Sequence, residues 1–167
     1  MKTKLVKNIT SYSLFACALV SLIAATASGQ GREVEGTPGG RIQGTWDVTV
    51  RIINCQTGGE ITHFASMLTY HPGGTLMEST AGLPPATKTP GEGVWQHIAD
   101  STYAIRFKFF TFNTQNVFTG WRIVNAELAL DQSGDSYEGS GTQEIYDANG
   151  NLIGTGCVSP LGTRFDL

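Results

Sequence analysis

The chain has 167 residues, with 11 Lys and Arg against 14 Asp and Glu, a net charge of -3 and 21 glycines. Sparse, slightly acidic charge without a basic cluster excludes nucleic acid and anionic membrane surfaces as partners. Plentiful glycine with no long helical periodicity argues for an all-β domain.

The amino terminus reads as an address. Lys2, Lys4 and Lys7 form a basic start, Leu14 to Ala25 is an apolar run, and Ala25-Thr26-Ala27 supplies small residues for cleavage. This is the pattern of a secretory signal peptide over residues 1–27, too short for a membrane span, so no stable membrane insertion is expected after cleavage. Residues 28–42, rich in glycine, read as a flexible leader, and 43–167 as one domain, long enough for a single core. Cleavage removes Cys17 and leaves Cys55 and Cys157, in an exported chain most simply a disulfide.

The domain opens on Gly44 to Cys55, where Trp46, Val48, Val50 and Ile52 alternate with polar residues, the period of a half-buried strand. Ile61 to Tyr70 is a second strand, with Phe64, Leu68 and Tyr70 on one face and His63, Ala65 and Met67 on the other. His71-Pro72-Gly73-Gly74 turns the chain into a third strand, Thr75 to Thr80. Ala81 to Glu92, with Pro84, Pro85 and Pro90, reads as the longest loop, of the kind that lines or covers a site. Gly93 to Ile98 is a fourth strand. Ser101 to Phe112 is a fifth, with Tyr103, Ile105, Phe107 and Phe109 as its inward face. Val117 to Leu130 is a sixth, whose inward face is either Trp121, Ile123, Asn125 and Glu127 or the set Arg122, Val124, Ala126, Leu128 and Leu130. Ser136 to Tyr146 is a seventh, with Gly139 and Gly141 where a barrel wall coils sharply. Asn151 onward is an eighth.

Eight strands joined mainly by short turns predict an eight-stranded antiparallel up-and-down β-barrel, with a two-sheet sandwich as the alternative. In the barrel, strands one and eight pair with Cys55 opposite Cys157, Val48 opposite Arg164 and Trp46 opposite Asp166. Pro160, opposite Ile52, cannot donate to the ladder and predicts a bulge or local break.

Gly44-Thr45-Trp46 at the start of the first strand resembles the Gly-x-Trp motif of the lipocalins and the wider calycin group. The resemblance implies a barrel whose closed end is plugged by Trp46, with Arg164 packed over the indole by a cation–π contact. It implies an exported carrier of a small hydrophobic molecule. The architecture also resembles allene oxide cyclase and dirigent proteins, which implies a barrel isomerase or cyclase as the alternative. A non-catalytic structural or interaction module is the third reading.

No nucleophile elbow, zinc-protease helix, phosphate loop or dinucleotide fingerprint is present, so no catalytic residue, metal site or cofactor is assigned. His63 with His97 is the conceivable metal pair, and Asp131, Asp135 and Asp147 read as turn caps rather than calcium ligands. The candidate ligand-binding residues are Phe64, Met67, Trp95, Tyr103, Phe107 and Phe109, with His97 and Glu127 as polar orienters. An inward Arg122 set would instead put Arg122 near the mouth, facing an anionic ligand. The sequence sets no oligomeric state.

Overall fold

A computed structural model describes residues 40–167; the expected signal peptide, residues 1–27, and nearly all of the expected leader lie outside the described residues. Eight strands run β1 (Gly44–Ile53), β2 (Glu60–Tyr70), β3 (Thr75–Thr80), β4 (Gly91–Ala99), β5 (Thr102–Phe112), β6 (Phe118–Leu130), β7 (Ser136–Asp147) and β8 (Leu152–Arg164). Each pairs antiparallel with its neighbours in sequence, and β1 pairs with β8, so the sheet closes into a barrel. Within the long loop lies a 3-10 turn, Pro85–Thr87. The fold is all-β and consistent with a calycin-like architecture.

Alternation decides the inside. Trp46 and Val48 of β1, Leu68 and Tyr70 of β2, and Tyr103, Ile105, Phe107 and Phe109 of β5 are buried together in one core. On β6 it is the set of Arg122, Val124, Ala126, Leu128 and Leu130 that faces inward. Trp121, on the outer face, is satisfied there: its ring stacks on Tyr146 at 5.3 Å and carries the Lys108 ammonium at 4.2 Å.

The seam differs from expectation in register. Trp46 pairs with Arg164, Val48 with Gly162, Val50 with Pro160 and Ile53 with Cys157. Cys55 lies beyond the end of β1 and reaches Cys157 diagonally, with Cα atoms 5.3 Å apart, so the bridge does not need the two cysteines directly opposed. The offset is two residues, which leaves every side chain on its expected face. It also sets Arg164 directly beside the indole it was expected to cover. At Pro160 the pairing with β1 is continuous, whereas the ladder between β7 and β8 skips Gly139 and Ser140 opposite Pro160 and Ser159. The missing amide is thus accommodated on the β7 side.

One end of the barrel is sealed. Trp46 is fully buried, its Nε1 donates to the Ile42 carbonyl at 2.8 Å, and Ile42 is buried beneath it. The Arg164 guanidinium lies 4.4 Å from the indole ring. It also donates to the carbonyls of Arg41, Gln43 and Gly134, at 2.7 to 3.1 Å. Gly44 has φ +117°, and a Cβ there would stand 3.0 Å from Arg164 Nη1, so the glycine of the motif both makes the bend and leaves room for the guanidinium. Above Trp46 the rings of Tyr137, Tyr70, Trp95 and Tyr103 continue the floor, with centroid separations of 4.8 to 6.5 Å along the chain of contacts.

Candidate ligand-binding site

Toward the other end the barrel is hollow. Toward that end the inward positions of β8 include Gly154 and Gly156, which contribute no side-chain volume; a Cβ at Gly156 would meet nothing within 4 Å. At Gly141 the backbone of the neighbouring strand also approaches closely: a Cβ would come within 2.1 Å of the Asn125 carbonyl. An eight-strand barrel has an interior that side chains just fill, so removing them from one wall leaves space. The result is a cavity of about 480 Å³.

Its walls are mainly apolar: Val50 and Ile52 of β1, Phe64 and Leu68 of β2, Phe107 and Phe109 of β5, and Val124 of β6. Tyr137 forms its floor, and the cavity opens beside exposed Thr62, His63 and the loop residues Ala81 and Gly82. The proline-rich loop therefore borders the site, as its composition predicts. It is held close, since a Cβ at Gly82 would meet the Phe64 ring at 2.8 Å.

Three charged groups are built into this interior. Glu78 of β3 points inward, and Lys88, from the loop after the 3-10 turn, donates to Glu78 Oε2 at 2.7 Å, with the two side chains 5 % and 4 % exposed. Ser66 Oγ lies 3.3 Å from the other carboxylate oxygen. The Lys88 ammonium sits 4.5 Å from the Phe109 ring centroid, so the pair is enclosed by both hydrogen bonds and an aromatic face. A Cβ at Gly91 would stand 2.8 Å from Glu78 Oε2, so that glycine leaves the carboxylate its space. The third group is Arg122, half-buried on the cavity wall, where loss of water pushes its guanidinium below its ordinary pKa.

The candidate residues divide. Phe64, Phe107 and Phe109 line the cavity. Trp95 and Tyr103 are buried below it in the floor, where the Trp95 indole donates to the His71 carbonyl at 3.0 Å. Burial raises the Tyr70, Tyr103 and Tyr137 hydroxyls above the usual phenol range, so all three stay neutral near pH 7. His97 is placed away from the cavity: its Nε2 is 2.9 Å from the Asp100 carbonyl in the β4–β5 turn. Met67 is 42 % exposed on the outer face of β2, as the alternation through buried Ser66 and Leu68 requires. Glu127 also points outward, because Ala126 and Leu128 hold the inner face, and borders an outer groove with Arg106 and Asn125.

His63 and His97 do not meet, lying at opposite ends of the barrel; His63 Nδ1 is 2.7 Å from Glu60 Oε1. Among the described residues no group of three metal-ligating side chains converges. Asp131 and Asp147 cap turns, each Oδ1 accepting from backbone amides of its own loop. Hydrogen bonds from Ser133 first, then from those amides, lower the Asp131 carboxyl to about 2.

Sequence reasoning missed Glu78 and Lys88. The available signal was the short strand Leu76-Met77-Glu78, in which the glutamate shares the face of a buried leucine. No protein-family model matches this chain, and no curated protein matches it.

Proposed function

We propose that this is an exported, lipocalin-like barrel that carries a small, largely apolar molecule. The observation that carries the reading is the aromatic-floored cavity of about 480 Å³, closed at one end and open at the other, a size and lining typical of small-molecule sites. The Gly44-Thr45-Trp46 bend with Arg164 stacked on the indole supports the lipocalin-like assignment. The Cys55–Cys157 bridge suits an oxidising compartment outside the cytoplasm.

A barrel isomerase or cyclase would need an inward acid or base free to take a proton. Glu78 is the inward carboxylate on the wall, yet Lys88 and Ser66 occupy its two oxygens. It therefore supports the wall rather than the chemistry, and the binding reading is preferred.

The test uses a neutral apolar dye, N-phenylnaphthylamine, whose fluorescence rises out of water. Ala126→Phe, which projects a ring into the cavity, should abolish the enhancement, and Met67→Ala, on the outer face, should leave it unchanged. Equal enhancement in both variants, or none in the wild type, overturns the proposal. Native mass spectrometry of protein from its own host should show a bound small molecule.

A further inference from the structure

We propose that the ligand is an organic carboxylate with an apolar tail, its head paired with Arg122 and its tail among Phe107, Phe109 and Val124. This rests on the reading of the barrel as a small-molecule container and specifies what it holds.

Arg122 projects inward from β6, paired across the sheet with Phe109 on one side and Ile145 on the other. Both neighbours are apolar and neither accepts a hydrogen bond through its side chain. Of the other described arginines, Arg41 donates to the Asp131 and Gln132 carbonyls, Arg51 to Ser159 and Arg164 to three carbonyls, while Arg106 is exposed on the outer face of β5. Among the described residues, the Arg122 guanidinium has no hydrogen-bond or ion-pair partner.

Inside the barrel Glu78 and Lys88 neutralise each other, which leaves Arg122 as an uncompensated positive charge on a mainly apolar wall. An arginine keeps its proton even when partly desolvated, so it cannot relieve the cost by becoming neutral. A half-buried cation without a counter-charge is costly in a finished core and useful in a binding site. Its planar fork matches a carboxylate bidentately. Gln143, on the neighbouring strand and lining the same cavity, offers an amide donor beside it.

The experiment compares decanoate with decanol, which share a tail and differ in charge, each displacing N-phenylnaphthylamine from the full exported protein. Wild type should bind decanoate at least about tenfold more tightly, or ~1.4 kcal/mol. Arg122→Met should erase that preference, and Arg122→Lys should retain part of it. The thermal midpoint of Arg122→Met should be no lower than that of wild type, because no hydrogen bond or ion pair within the protein is lost and Met keeps an apolar stem on the wall. Equal affinities in the wild type, or a preference that survives Arg122→Met, overturn the proposal while the container reading stands. Failure of both ligands and of the dye overturns the two together. If Arg122→Met does not fold, the wild-type comparison of the two ligands still decides.

Discussion

Replacing Cys55 and Cys157 together by serine should cost about 4–5 kcal/mol of unfolding free energy. The bridge spans a sequence separation of 102 residues, nearly the whole barrel. Loop-closure entropy for a loop of that size is roughly 4.7 kcal/mol at 25 °C in the chain-entropy treatment, most of it acting on the unfolded chain. Little folded-state packing opposes this, because Cys55 is exposed and Cys157 lies on the outer face of β8. A domain of this size has a total stability of about 5–15 kcal/mol, so the variant should fold yet sit near the lower limit. The assay is urea unfolding followed by tryptophan fluorescence, with Trp46 and Trp95 in the core reporting the floor. The midpoint should fall, and the dependence on urea should steepen as the freed chain expands further. A loss below about 1 kcal/mol with an unchanged native spectrum would refute the reasoning, since it would mean the unfolded ensemble already holds its ends together.

The buried ion pair gives a test of sign. Lys88→Met strands the Glu78 carboxylate and should cost about 3 kcal/mol, at the lower end for a broken buried pair because Glu78 borders the cavity. Adding Glu78→Gln should return most of that loss; a double variant as unstable as the two single losses combined would show the groups are not coupled, as read by thermal and urea melts. Gly162→Ala puts a Cβ 2.3 Å from the Tyr137 ring. It should cost about 1–3 kcal/mol and, by pushing Tyr137 into the cavity, weaken dye binding, both measurable in one titration series. Asp131, with its carboxyl lowered to about 2, contributes stability that is present above the unfolded value near 4 and lost as pH falls through 2. The thermal midpoints of wild type and Asp131→Asn should therefore differ at neutral pH and converge on acidification through that window.

The closure of the barrel was legible because each strand carries period-two alternation and the turns carry proline, glycine, aspartate or, between β5 and β6, asparagine. Trp46 and Arg164 were legible as partners because a Gly-x-Trp opens β1 and a late arginine is available to meet it. The inward face of β6 was not. Trp121 and Ile123 are as apolar as Val124 and Leu128, and only the outer aromatic partners, Tyr146 and Phe118, settle which set faces out. The register expected from directly opposed cysteines differs by two from the observed one because Cys55 sits past the strand end. Met67 sits on the face of β2 opposite Phe64 and Leu68, so only its residue type pointed to the site, whereas Glu127 sits on the β6 face that alternation alone leaves open. Glu78 and Lys88 stayed hidden because a buried ion pair is a long-range match, and neither residue carries a local mark of it.

The junction of β1 and β8 is fastened twice: near the open rim by the disulfide, and at the floor by the guanidinium of Arg164 threaded among three carbonyls. A cylinder riveted along its joint cannot part there to let cargo through its side. In the carrier reading proposed above, the route that the cavity itself offers is the rim, past Ala81 and Gly82, beside the loop that Lys88 tethers.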